Sequence, residues 1–334
     1  MSEAGSAQHN AGKGENRRAG KTIDRRAIPA AAIESRWQAG DGWSLRRIDW
    51  QQAGPCRGSL LFLPGRGDCY EKYLETLAFW HSEGWRVTAA DWRGQAGSGR
   101  LGADGVTGHI SDFSLWIDDL AGFWAQWKAS TPGPHVLVGH SMGGHLVLRA
   151  LGEKRVDPDA LVLSAPMLGF FTYGLPLAVL HMAAKVMCKI GDPRRPAWKW
   201  SEKPGQFPAG RDKLLTHDAD RYADEMVWRE MRPELVMGPG SWGWVERSYA
   251  STRLLDSKGF LEAITTPVFL VATSADALVT YDAIARAASR LPKAELLTFG
   301  EEARHEILRE CDAVRDAALN AIDQFLDRAA APQR

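Results

Sequence analysis

The sequence predicts an α/β architecture, a mainly parallel sheet with helices on both faces and an inserted helical cap. Three observations predict it. Short apolar runs bounded by Gly and Pro alternate with stretches whose apolar residues recur at helical spacing, the pattern of strands joined by crossover helices. Near residue 167 this alternation stops and the texture changes to helical pieces rich in tryptophan and proline. From residue 261 the strand pattern resumes. The expected organisation is therefore a disordered polar tail over 1–28, a first core part over 29–166, a cap over 167–260 and a second core part over 261–334.

Element by element, "GSLLFLPG" reads as a buried strand ending at Pro64-Gly65. Residues 71–84 read as a helix, with Tyr73, Leu74, Leu77 and Trp80 at helical spacing and Gly84 as its stop. "WRVTAADWRG" is a strand running into a loop at Asp91, and "FSLWIDDLAGFWAQWKAS" is the next helix. "HVLVGH" is a strand, "MGGHLVLRAL" a helix and "ALVLSAP" a strand. The cap segment carries Trp198, Trp200, Trp228, Trp242 and Trp244. After it, "PVFLVATSAD" and "AELLTFG" are strands, and a closing helix runs through "ILRECDAVRDAALNAIDQFLDRA".

Composition excludes several classes. The chain has 334 residues, with 41 basic and 41 acidic side chains, so no charge excess points to nucleic acid. Cys56, Cys69, Cys188 and Cys311 lie far apart with no CxxC pair, which argues against a zinc site or a disulfide scaffold and fits a reducing compartment. The first residues lack the apolar core of a secretory signal, so a cytoplasmic location is expected. The most apolar stretch, residues 168–191, contains His181, Lys185 and Lys189 and is a poor spanning helix.

Gly139-His140-Ser141-Met142-Gly143 matches G-x-S-x-G, placed after a strand and before a helix. There the serine sits on a strained turn, and glycine at the flanking positions lets strand and helix approach. The helix N-terminus then faces any oxyanion formed at the site. An α/β hydrolase needs its acid and its histidine downstream, in that order. Asp276 ends the strand "VFLVATSAD", and His305 follows "AELLTFG" by a short loop. Both fall at the carboxyl ends of strands, the edge where open α/β sheets place ligands. Ser141 is thus the expected nucleophile, His305 its base and Asp276 the group that fixes the histidine tautomer. The anion hole needs two backbone N–H groups, expected from Met142 and from Arg66 in the loop "LFLPGRGD". No metal or cofactor is called for.

The segments "LFLPGRGDCYEKY", "DWRGQAGSGR", "VGHSMGGHLVL", "TSADALVT" and "RHEILRE" resemble the successive signatures of the α/β-hydrolase group that contains monoacylglycerol lipases and bacterial lysophospholipases. "PELVMGPGSWGWVERSY" in the cap resembles the lysophospholipase L2 group in particular. The resemblance covers residues 43–326 and implies the α/β-hydrolase fold and a serine esterase releasing a fatty acid from a single-chain acyl lipid. The same residues carry over, namely Ser141, Asp276 and His305 with Arg66 and Met142. Two positions depart from the pattern: Pro64-Gly65 stands where the group usually has His-Gly, and Ala96 where it usually has glycine, with Gly97 as a substitute for that role.

Other readings stand beside these. A small-ester esterase or an aminopeptidase-like hydrolase on the same fold is the second, and a non-catalytic ligand-binding protein the third. Asp256, Glu301 and Glu302 are the fallback acids, and Asp91 is expected to cap the loop it enters. His140 is expected to pack beneath the elbow, with His109 structural and Cys69 buried filler. Arg66, Arg100 and Arg304 are candidates for meeting a phosphate head group, with solvent exposure expected for at least two. The apolar stripe of "PLAVLHMAAKVMCKIG" is either a face packed on the core or a surface for an acyl chain or a membrane, which leaves peripheral contact with the inner membrane through the cap open.

Overall fold

The computed structural model describes residues 23–172, 174–199 and 210–330. Its centre is one eight-stranded sheet. In chain order the strands are β1 (Ala32–Gln38), β2 (Ser44–Trp50), β3 (Gly58–Leu63), β4 (Trp85–Ala90), β5 (His135–His140), β6 (Ala160–Ser164), β7 (Val268–Thr273) and β8 (Ala294–Phe299). They lie side by side as β1-β2-β4-β3-β5-β6-β7-β8. From β4 to β8 every pairing is parallel, whereas β1 and β2 form an antiparallel hairpin that adds to β4.

The helices are α1 (Leu74–Ser82), α2 (Ser114–Ser130), α3 (Met142–Gly152), α4 (Leu177–Lys189), α5 (Asp212–Leu215), α6 (Ala219–Met231), α7 (Trp242–Leu255), α8 (Tyr281–Arg290) and α9 (Asp312–Ala329). They cover both faces of the sheet, which is why β3, β5, β6 and β7 are buried along their whole length and read as unbroken apolar runs. Alternate residues serve opposite layers. Leu61, Leu63, Leu137, Leu161 and Leu270 pack with α2, α3 and α8, while Leu60, Phe62, Val136, Val162 and Val271 pack with α1 and α9. Each such fully buried side chain contributes about 1.5–3 kcal/mol.

Two expectations from the sequence shift in detail. Residues 70–73 form a 3-10 turn ahead of α1, and the closing helix begins at Asp312, after a separate 3-10 turn over 307–309. The β1–β2 hairpin and α8 are additions. In β1 charged side chains face solvent and in β2 Arg46 points inward to carboxylates, so neither strand shows the apolar run that marks the others.

Between β6 and β7 the chain leaves the sheet and forms α4 to α7. Backbone bonds tie this excursion to the loop after β4, with Gly108 N–H donating to Pro239 O and Ser241 N–H to Gly108 O. The expected tail falls outside the described residues up to position 22, and so does Trp200. Residues 23–28 do not behave as a free tail. Arg25 and Arg26 each bond the buried Asp224 of α6 at 2.6 Å, and the Trp228 indole donates to Arg25 O. The carboxylate on α6 gives this segment a fixed partner that its own composition could not reveal.

Candidate active site

β5 ends at His140 and α3 begins at Met142, leaving Ser141 alone to reverse the chain, at φ +52° and ψ −118°. This is a left-handed conformation that a residue with a Cβ holds only when its surroundings impose it. Three backbone bonds do so: Ser141 N–H donates to Ser164 O, and Ser141 O accepts from the N–H groups of His145 and Met167. The glycines make room. A Cβ at Gly143 would lie 2.4 Å from the carbonyl oxygens of Leu63 and Pro64, and one at Gly139 would lie 2.7 Å from Gly144 N. Gly65 brings its loop against the serine, since a Cβ there would lie 3.0 Å from Ser141 Cβ.

The loops after β7 and β8 reach the same place. Asp276 and His305 are both buried, and His305 spans the serine and the carboxylate. Its Nε2 is 2.9 Å from Ser141 Oγ and its Nδ1 is 2.7 Å from Asp276 Oδ2. The other carboxylate oxygen of Asp276 accepts from Leu278 N–H at 2.8 Å and Val279 N–H at 3.0 Å. Burial by itself would raise the Asp276 pKa. The His305 charge and hydrogen bond, with the two backbone donors, outweigh it and hold the carboxyl below its ordinary range. Such a chain of bonds leaves Nε2 able to accept a proton from Oγ.

The two residues expected to form the anion hole are near this point. Met142 is the first residue of α3, so its N–H belongs to the unpaired first turn of the helix. Arg66 follows Gly65 in the loop beside Ser141. The proline that replaces the usual histidine leaves that loop well held. The Trp92 indole donates to Pro64 O at 2.9 Å, and Asp68 Oδ2 accepts from Gly65 N–H and from the Tyr73 hydroxyl. Asp68 is a residue the sequence did not single out; its neighbourhood depends on three segments that meet only in the folded chain. Ala96 itself takes the left-handed backbone, φ +41°. Gly97 does not take over that role; what it provides is space, since a Cβ there would lie 2.7 Å from Arg46 Nε.

The alternatives are placed elsewhere. Asp256 ends α7 and pairs with Arg290, and Glu302 is an exposed acceptor for Gly300 N–H, beside the exposed Glu301. Asp91 does accept from Gly97 N–H, yet its main partner is Arg46, which it shares with Glu71. Burial, with the Glu71 charge, raises its pKa in spite of that arginine. His140 is buried with its ring centre 4.9 Å from that of His305, and burial together with the His305 charge lowers its pKa to about 4. His145 bonds Met167 O and Ser251 Oγ, and His109 bonds Ser241 Oγ. Cys69 is buried and its thiol is pushed well up by that burial.

The three arginines considered for a head group all contact backbone carbonyls of the segment between β6 and β7, which corrects the expectation of free exposure. Arg100 reaches Glu234 O and Val236 O, Arg304 reaches Asp212 O and Thr216 O, and Arg66 reaches Gly238 O. The Arg66 guanidinium also lies 5.1 Å from the ring centres of both Trp198 and Trp244. The stripe on α4 faces outward. His181 and Ala184 are its buried residues, while Val179, Met182, Val186 and Ile190 are 45–65% exposed along one face. Packing on the core is therefore the wrong reading of those positions. No described helix is long and apolar enough to cross a membrane.

The chain is similar to known proteins in sequence and in fold. A family model described as serine aminopeptidase, S33 matches residues 54–312. Lysophospholipase L2 of Escherichia coli K12 is 29% identical over 296 residues, spanning 82% of this chain and 81% of the relative. A soluble variant of monoglyceride lipase from Saccharomyces cerevisiae superposes with a TM-score of 0.72 at 18% identity, over 93% of this chain and 98% of that one. Monoacylglycerol lipase from Paleococcus ferrophilus superposes with a TM-score of 0.65 at 22% identity, over 85% and 99%. Together with the sheet topology these establish the α/β-hydrolase fold.

Proposed function

Because the chain belongs to the serine aminopeptidase S33 family, we propose that it is a serine hydrolase cleaving carboxylic esters of single-chain acyl lipids, a lysophospholipid or a monoacylglycerol. The observation that carries the reading is the continuous bond path from Ser141 through His305 to Asp276. Ser141 Oγ attacks the acyl carbonyl while His305 Nε2 takes its proton, and the Met142 and Arg66 N–H groups hold the oxyanion. As the tetrahedral species collapses, His305 returns the proton to the departing alcohol. Water then attacks the acyl-serine with the same proton relay, and the fatty acid leaves.

Two features favour a lipid ester over a peptide. A peptidase of this kind needs a carboxylate to receive the substrate's free amine. Among the described residues, the carboxylates behind the site are already engaged: Asp276 by His305, Asp68 and Glu306 by Lys72, and Asp91 by Arg46. The second feature is the outward apolar face of α4, bordered by the exposed Lys185 and Lys189. Residues 167–260 act in this reading as a cap, and that face rests on an anionic membrane surface from which substrate is drawn. The E. coli relative, named for lysophospholipase activity, agrees with this choice.

Fatty-acid release from a lysophospholipid and a monoacylglycerol, side by side with Ser141→Ala, tests the reading. Release from either, abolished in the variant, supports it. Cleavage of amino-acid arylamides in preference to both lipids sinks the lipid substrate, and hydrolysis that survives Ser141→Ala sinks the mechanism.

A further inference from the structure

A group of charged side chains is buried directly behind the anion-hole loop. The Lys72 ammonium, on the turn ahead of α1, lies 3.0 Å from Asp68 Oδ1, 3.0 Å from Glu225 Oε2 and 2.5 Å from Glu306 Oε1. All four side chains are at most 5% exposed. The contact to Glu306 is a hydrogen bond, and those to Asp68 and Glu225 are close ion pairs, so one cation attracts three carboxylates. Arg309 adds a second cation against Glu306 and, at 3.9 Å, Glu225. Burial disfavours every charge in the group, yet the mutual attraction wins: Lys72 is held above its ordinary pKa and Glu306 below its own.

The three carboxylates come from three separate segments. Asp68 belongs to the loop that carries Arg66, and its Oδ2 accepts from Gly65 N–H at 3.3 Å and from Tyr73 Oη at 2.8 Å. Glu306 is the residue after His305. Glu225 lies on α6, in the excursion between β6 and β7. The backbone at the histidine is held on its other side by the same excursion, with Glu306 N–H donating to Leu215 O at 2.8 Å. Stability alone is a weak reason to bury such a group, because apolar side chains of similar volume often serve as well or better. What apolar side chains cannot supply is one cation held between carboxylates on two loops.

We propose that Lys72 is a positioning residue for the ester hydrolysis, its ammonium fixing the distance between the loop that bears the Arg66 N–H and the loop that bears His305. Neither Lys72 nor its carboxylates touch the reacting atoms. The oxyanion donor and the base must both be aligned with Ser141 Oγ as the tetrahedral species forms, and Lys72 couples them through Asp68 on one side and Glu306 on the other. This role rests on the serine-hydrolase reading above.

The test uses the full chain with Lys72→Met and Asp68→Asn. Steady-state kinetics on a cleaved ester are paired with inhibition by an acyl trifluoromethyl ketone. Ser141 Oγ adds to that carbonyl, its proton passes to His305, and the former carbonyl oxygen becomes an anion in the hole. In the folded variants kcat is expected to fall about a hundredfold with KM changed by less than about twofold, and ketone affinity to fall in parallel with kcat/KM. Full kcat in a folded variant overturns the proposal, and so does a lost kcat with unchanged ketone affinity. Asp68→Asn carries the test if Lys72→Met does not fold. Failure of both to fold assigns the cluster to stability and also overturns the positioning role. Retained hydrolysis in Ser141→Ala removes the hydrolase reading and this one together, whereas its loss beside a fully active Lys72 variant removes this one alone.

Discussion

Asp276→Asn exchanges one carboxylate oxygen for an amide, and the surroundings decide which one. Oδ1 accepts from the N–H groups of Leu278 and Val279, at 2.8 and 3.0 Å. Turning the amide nitrogen toward those two donors would leave the buried Val279 N–H unsatisfied, at about 1–3 kcal/mol, and would break the part-buried bond from Leu278 N–H, at about 0.5–1.5 kcal/mol. The amide oxygen therefore stays with the backbone, and the NH2 group takes the place of Oδ2, 2.7 Å from His305 Nδ1. Nδ1 must then accept, so the ring proton moves to Nε2 and points at Ser141 Oγ. The base becomes a donor facing its own nucleophile. The same exchange in a serine-protease triad lowers kcat by about 10,000-fold, about 5.5 kcal/mol of barrier. A loss of about 1,000- to 10,000-fold in kcat is expected here, with the thermal midpoint shifted far less. The assay is release of a chromogenic alcohol from a soluble ester near pH 8, with the melting curve recorded beside it. A variant within about tenfold of wild type would refute the reasoning and move the acid to another residue, with Asp256, Glu301 and Glu302 next in turn.

Gly143→Ala is expected to abolish activity and to destabilise the fold by about 1–3 kcal/mol, because its Cβ would lie 2.4 Å from two carbonyl oxygens; thermal unfolding measures it. His140 and His145 are both buried with pKa lowered to about 4, the first by burial and the His305 charge, the second by burial partly offset by Met167 O. A depressed histidine contributes stability above its unfolded pKa, near 6.5, which is lost as pH falls toward 4. Between pH 8 and pH 5 the loss is about 2 kcal/mol for each. Urea unfolding at the two pH values reads their sum, and His145→Asn should remove about half of the dependence; an unchanged slope would count against the assignment. Met182→Glu with Val186→Glu on the outward face of α4 should weaken sedimentation with anionic vesicles while sparing turnover of a soluble ester. Equal vesicle binding by the variant and wild type would sink the membrane contact.

Much of the candidate site's geometry was legible because it is local. Strand, turn and helix around Ser141 follow from a glycine pattern with a steric cause, and the order of Ser141, Asp276 and His305 follows from strands that end where those residues stand. The apolar runs of β3, β5, β6 and β7 read directly as buried strands because both faces are covered. The β1–β2 hairpin escaped because Arg46 spends its charge on Glu71 and Asp91, a partnership that no window of neighbouring residues contains. The α4 stripe had the right periodicity, but periodicity gives only the existence of an apolar face and not the direction in which it points.

Arg66, Arg100 and Arg304 show the same division. Their positions near the site loops were plain, yet each also reaches a carbonyl more than eighty residues away. Lys72 falls in the helix expected over residues 71–84 without being singled out there, and folding gives it three carboxylates from three segments. By itself the sequence determined the buried parallel strands and the placing of Ser141, Asp276 and His305 at strand ends, because periodicity and steric demand act between neighbours along the chain. Tertiary structure alone decided which charges are buried together and which apolar face remains outside, because those depend on distances between segments that adjacency in sequence does not set.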